Sequence, residues 1–396
     1  MTEDKACSPP PLSLPGLFIR FLRFGCLAFG GPVAQIAMIR QALVEEEHWL
    51  SSQRFNRLLA VMQILPGPEA HELCVHMGMM ARGRLGGFLA GLGFMLPGFV
   101  LMLLCAFAYV RFVAGVGAFD GALLGVQLAV LGVIARAVQR IAVHILVDRM
   151  LILLAAISAT ATLAGLPFWG PLLATGLVYA CVRSLPLAGV LVIGLCVGGW
   201  LILPHGGMPL PAQAERATAA GAVALFLTGL KGGLLTFGGA YTAIPYVRHD
   251  TVGRGWISDG AFLDGVALAG TLPAPLVIFG TFVGYVAGGW AGAIAVTAGI
   301  FLPAFAFSMI LFERLEAVVE NALLHRFLDG VGAAVVGTIV ATLLQLGAST
   351  FARTEDWAFA ILLVGTSLFA AWRLKGKWVT PAIVASGAAI GWAVWR

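Results

Sequence analysis

Two short proline motifs are the residues best placed to do chemistry in this chain. Pro66-Gly67-Pro68 interrupts one apolar stretch and Pro273-Ala274-Pro275 interrupts another. Proline has no amide hydrogen and its ring clashes with the preceding turn, so a helix must break at either motif. Within a membrane such a break is tolerated only where protein or a water-filled cavity surrounds it. The helix that restarts beyond the break offers free N–H groups and about half a positive charge, which suits an anion. A kink in a packed helix is the plainer alternative, but paired prolines at matched places in two stretches favour a site. Gly30-Gly31 before Pro32, and Gly238-Gly239 further on, mark either chain breaks or tight helix packing.

Cations accompany the motifs. Arg23 and Lys231 lie at least one turn inside apolar runs, where a charged side chain costs about 2.5 to 3.5 kcal/mol. Snorkelling to the interface would relieve Arg23, which has Arg20 one turn earlier, more readily than Lys231. Arg40 and Arg248 follow the double glycines, and a guanidinium suits two-point contact with a tetrahedral oxyanion. As loop residues they serve equally well as orientation signals.

Only the first motif is followed by titratable groups: Glu69, His71, Glu72, Cys74 and His76, where the second has Leu276, Val277, Ile278 and Phe279. His71 and His76 are five apart rather than the four that put two zinc-binding histidines on one helical face, so no metal is expected. Glu72 and His76 can pair at a spacing of four. Glu69 suits the helix dipole but opposes a bound dianion, and that opposition is what proton coupling requires. The alternative is that these groups satisfy neighbouring backbone.

The elements that must position these residues are membrane helices. Of the 396 residues 60% are hydrophobic and 11% charged, far from the balance of a water-soluble domain. Residues 86–110, 151–168, 186–203 and 289–311 each run long enough without a charge to cross a bilayer. No alternation of the kind a transmembrane barrel needs is visible. Residues 1–15 lack the basic start of a cleaved signal and read as an exposed tail. The six cysteines are scattered without a CxxC pair and read as packing residues. The net charge of +5 sits at helix ends, where topology requires it, so no nucleic-acid partner is expected.

The chain also repeats itself. Phe29-Gly30-Gly31 returns as Phe237-Gly238-Gly239, Arg23 matches Lys231, Arg40 matches Arg248, Trp49 matches Trp256, Leu65-Pro66-Gly67-Pro68 matches Leu272-Pro273-Ala274-Pro275, and Leu96-Pro97 matches Leu302-Pro303. Such self-similarity decides architecture. The expected fold is an all-α polytopic membrane protein of two homologous repeats: a tail (1–15), a first repeat (16–185), a connecting helix and linker (186–215) and a second repeat (216–396). If the arms around each proline motif continue into one crossing, the unpaired segment 186–203 turns the second repeat upside down, with about 13 crossings in all. If they return as a re-entrant hairpin the count falls. The placement of loop cations hardly separates the two, and the inverted, continuous arrangement is the one expected.

With these residues laid out, the chain resembles the chromate ion transporter family in its long two-domain form. The resemblance rests on Phe29-Gly30-Gly31-Pro32 with Gln35 and Arg40, Trp49-Leu50-Ser51, Leu65-Pro66-Gly67-Pro68-Glu69-Ala70, residues 93–97, and residues 234–241 of the second half. It implies a carrier of the cytoplasmic (inner) membrane, driven by the proton motive force, that exports chromate and uses no cofactor. It also implies a substrate site at Arg23, Gly30, Gly31, Pro32, Arg40, Pro66, Gly67, Pro68, Lys231, Gly238, Gly239 and Arg248, to which the matched Pro273 and Pro275 are added. Short members of that family work as oppositely inserted pairs, which fits inverted repeats and leaves room for a homodimer here. Ala274, where the second copy usually has glycine, and His71, where glutamine or threonine is common, depart from the family pattern. The expected partners are chromate or a sulfate-like oxyanion, protons and the lipid bilayer. Proton coupling is assigned to Glu69, His71, Glu72 and His76. An oxyanion uptake carrier or an anion channel would use the same broken helices; an intramembrane enzyme lacks its spaced ligands.

Overall fold

A computed structural model describes residues 9–62, 65–166, 169–202, 220–236, 240–310, 322–374 and 376–395, all helical or irregular, with no strand among them. In the first half, α1 (Leu14–Leu27) is capped by the Ser13 hydroxyl, which accepts from the Gly16 amide. Gly30 and Gly31, at φ of +90° and +78°, then turn the chain into α2 (Gly31–Arg40), a bend that a residue with a Cβ would resist. After α3 (Ser52–Met62) and the first proline motif comes α4 (Glu69–Ala108).

This last element is two helices, α4a (69–81) and α4b (84–108), joined where Arg82 and Gly83 leave helical geometry. They fold back on each other: Gly78 lies against the Gly86 backbone, and Gly87 and Gly91 lie against Val75. Next come α5 (Asp120–Ile145), α6 (Arg149–Leu163), α7 (Trp169–Cys181) and α8 (Leu185–Ile202).

The second half repeats the plan with α9 (Ala222–Leu234), α10 (Ala243–Thr251), α11 (Asp259–Thr271) and α12 (Phe279–Ile310). Gly288 and Gly289 split α12 into α12a (279–287) and α12b (290–310), and Gly284 faces Gly292 as Gly78 faces Gly86. Then follow α13 (Ala322–Phe351), α14 (Trp357–Arg373) and α15 (Val379–Val394). Among the described residues four helical stretches are long and apolar enough to cross a membrane: Glu69–Val113, Gly117–Ile145, Leu276–Ile310 and Leu323–Phe351. The protein is an all-α polytopic membrane protein.

The path of the second proline segment differs from the continuous crossing expected from sequence. α11 and α12a return on each other, with Gly265 notched against the Phe282 ring and the Phe262 and Phe279 rings 5.6 Å apart. The proline motif is therefore the tip of a hairpin. The reason is packing: a 13-residue arm is only about 20 Å long, and the glycine notch lets its apolar face close on the arm that follows. In the first half Arg54 on α3 lies within electrostatic reach of His76 on α4a, as a similar hairpin requires.

The halves interlock. α5 packs on α14 and α15, where Gly121 and Gly125 meet the backbone of Gly387, Gly391 and Trp395. Reciprocally, α13 packs on α6 and α7, where Gly330 meets Thr175 and Gly337 meets Ala155. Missing side chains let these backbones approach closely. Equivalent helices also meet head to tail. α4b and α12b place Phe88 by Phe305 and Phe107 by Trp290, while α5 and α13 place Gln127 by Arg353 and Ile145 by Gly332.

Candidate functional site

Both proline tips rest on the middle of the α4b and α12b pair, and they do so reciprocally. A Cβ on Gly67 would stand 3.0 Å from that of Ala304, and a Cβ on Gly98 would overlap that of Ala274. Gly67 corresponds to Ala274 in the repeat, and Gly98 to Ala304. Each contact therefore holds one methyl group, on the helix in one case and on the tip in the other. The unusual alanine at 274 is accommodated by the glycine opposite it.

Each tip is also tied to the other half. The Gly67 amide, on backbone at φ +149°, donates to the Thr236 carbonyl at 2.8 Å. The Gln35 side-chain amide on α2, itself buried, donates to Ala28 at 2.8 Å and to Ala274 at 3.0 Å. Gly30 approaches Lys377 in the α14–α15 turn, and the Phe29 ring stacks on Trp378 at 6.2 Å. Pro32 opens α2, where its missing N–H is harmless.

The titratable groups after the first motif line α4a and are all buried: Glu69, His71, Glu72 and His76, with Cys74 among them. Glu72 reaches back onto the tip, because a Cβ on Gly67 would lie 2.5 Å from its Oε1. Neither Glu72 oxygen has a hydrogen-bond partner among the described residues, while the His71 imidazole lies by the Gly91 backbone. The His71 ring sits edge-on between Phe301 and Phe305, at 4.9 and 4.7 Å. Buried polar atoms left unmatched are costly.

The cations are distributed differently from the sequence expectation of one shared site. Arg23 is exposed on α1. Arg40 donates to the Ser52 hydroxyl at 3.0 Å and pairs with Glu45 at 3.4 Å. Arg248 is buried and grips Asp259 through Nε at 2.8 Å and a terminal nitrogen at 3.0 Å, with Gln345 at 2.9 Å. Lys231 donates to both oxygens of Asp250, at 2.7 and 2.9 Å. The structure thus joins Pro66, Gly67, Pro68 and Glu72 to Thr236, and Pro273, Ala274 and Pro275 to Gln35. It gives Lys231, Arg40 and Arg248 partners of their own. Gly238 and Gly239 lie outside the described residues.

Sequence reasoning missed three things here: the Gln35 bridge, the Asp250 partner of Lys231, and a network in which Tyr109 and Arg353 meet the buried Gln127 and Asp264. Asp264, a lone carboxylate in an apolar stretch, was the available signal for the last.

The chromate transporter family model matches residues 16–199 and 223–392. A chromate transport protein of Pseudomonas aeruginosa is 54% identical over 396 residues, covering 98% of this chain and 94% of the relative. A chromate transport protein of Cupriavidus metallidurans is 30% identical, covering 96% and 93%, and an uncharacterized transporter of Methanocaldococcus jannaschii is 26% identical, covering 91% and 89%. No solved structure matches the chain. With matches that extend over both halves and through both proline motifs, the chain belongs to the chromate transporter family.

Proposed function

We propose that this protein is a secondary transporter that exports chromate, or a similar tetrahedral oxyanion, across the cytoplasmic membrane in a proton-coupled cycle. The observation that carries the reading is the seating of both proline tips on the middle of the central helix pair, with a buried cluster of carboxyl and imidazole groups at one of them, the Glu72 carboxyl unmatched. The names of the relatives supply the substrate.

The head-to-tail contact of equivalent helices supports inverted repeats, since parallel repeats would set them side by side in the same direction. On that reading residues 16–185 and 216–396 are the two units and 186–215 joins them. α4b and α5 are consecutive crossings, so Arg82 and Arg84 before the first and Arg149 after the second share a face, the cytoplasmic one by its cations. The first hairpin then enters from the cytoplasm and the second from the opposite side.

The oxyanion would sit against the tips, favoured by first-turn amides of α4a, and Lys231 would act on it as a pair with Asp250. Gly30, Gly31 and Pro32 would shape the approach, while Arg23, Arg40 and Arg248 would act through the surrounding field. Protonation of Glu69 or His71, with Glu72 and His76 as neighbours, would admit the anion, and deprotonation would expel it.

Flux of labelled chromate into proteoliposomes under an imposed pH gradient, with sulfate as competitor, tests this. Gradient-dependent chromate flux is expected, and its absence for both anions defeats the reading. An anion channel would conduct without gradient coupling. Replacing Glu69 and His71 with glutamine should flatten the pH dependence of flux; an unaltered profile removes the coupling role.

A further inference from the structure

The two hairpins are equivalent in sequence but are not held equally. At the base of the second, Asp264 on α11 accepts from the Tyr109 hydroxyl at 2.9 Å and from the Gln127 amide at 2.9 Å, and the Gln127 carbonyl accepts from Arg353 at 2.5 Å. Arg353 reaches Gln127 through a notch at Gly260, where a Cβ would stand 2.7 Å from the guanidinium. One turn earlier Arg248 joins Asp259 to Gln345 of α13. α11 is thereby linked to α4b, α5, α10 and α13, and none of its residues is exposed.

Among the described residues, the base of the first hairpin is held by a different set of bonds. Arg40 meets Ser52 where Arg248 meets Asp259, a neutral acceptor in place of a carboxylate. Arg57 stands where the second copy has Asp264, and it is exposed, as are Ser52, Gln53 and Asn56. A carboxylate holds a guanidinium more strongly than a hydroxyl does, and local opening follows the weaker set.

We propose that Asp264, Gln127 and Arg353 are positioning residues that fix the α11/α12a tip as the stationary wall of the oxyanion path, leaving α3 and α4a as the hairpin that moves. The assignment of moving and stationary parts rests on the transport reading above, whereas the difference in restraint does not. The moving hairpin is then the one that carries the buried Glu69 to His76 cluster, so motion and protonation meet in a single element.

Amide hydrogen exchange of the full chain in lipid nanodiscs, with and without chromate, tests the proposal. Residues 259–271 should exchange about tenfold more slowly than residues 52–62, and chromate should slow the latter alone. Gln127→Leu, which cuts the network at its centre, should raise exchange in 259–271 about tenfold and raise the chromate concentration for half-maximal flux several-fold. Arg353→Lys, which keeps a donor for Gln127, should fall between that variant and the parent. Equal exchange of the two segments in the parent protein, or no change in 259–271 on Gln127→Leu, overturns the proposal. Exchange asymmetry without any chromate flux would refute the transport reading and leave the unequal restraint standing.

Discussion

Exchanging one methyl group across the second tip is the sharpest test of how the tips are seated. Gly98→Ala alone puts a Cβ into that of Ala274, an overpacking that costs about 1 to 3 kcal/mol. Alanine in place of glycine within a helix returns about 1 kcal/mol, so the net loss is about 1 kcal/mol. Ala274→Gly alone leaves a methyl-sized gap and a freer chain, again about 1 kcal/mol. The double variant restores a single methyl at the contact, now on the helix, which is the arrangement Gly67 and Ala304 already use. It should return near the parent stability, giving a coupling energy of about 2 kcal/mol where independent sites would show none. Chemical unfolding of all four proteins in detergent measures the cycle, and chromate flux in proteoliposomes should follow the same order. Additive losses in the double variant, or a neutral Gly98→Ala, would refute the reciprocal seating.

Other outcomes follow from the partners of the cations and from the buried cluster. Lys231→Gln leaves the buried Asp250 to His249 and should cost about 1 to 3 kcal/mol, much of it recovered by adding Asp250→Asn, as thermal unfolding would show. Arg23→Gln, at an exposed position, should weaken flux less than Lys231→Gln does when both are assayed in the same proteoliposomes. Arg248→Ala should destabilise by about 3 kcal/mol or more and Arg40→Ala by less than about 1, because one guanidinium is buried on a carboxylate and the other meets a hydroxyl and an exposed carboxylate, Glu45, near solvent. Glu72→Gln should weaken the dependence of flux on cytoplasmic pH, in the direction of less stimulation by acid.

Much of the fold was legible because the repeat carries it: the double glycines, the proline motifs and the Leu-Pro pairs recur at matched places, and Gly30-Gly31 and both proline motifs prove to be turns. The course of the broken segments was not legible. An apolar arm of a dozen residues has the same composition whether it continues or returns, and what decides is a notch such as Gly265 meeting Phe282, visible only once both arms are in place. The cations misled for a related reason. An arginine beside a glycine pair looks ready for an oxyanion, yet Asp259 and Gln345, 11 and 97 residues away, hold Arg248. Lys231 did signal that something must neutralise it within the apolar run, and Asp250 does so.

The exchange of helix pairs between halves bears on how the protein is made. α5 emerges from the ribosome well before α14 and α15, and at ordinary synthesis rates the delay is on the order of ten seconds or more. Throughout that interval the glycine stripe of Gly121, Gly125 and Gly132 faces lipid, or the insertion machinery, instead of its eventual partners. The first half is therefore an unfinished object until the last helix is inserted, and a truncated chain ending before α14 should be cleared by membrane proteases. Two separately expressed halves, by contrast, would each carry the helices on which the other packs.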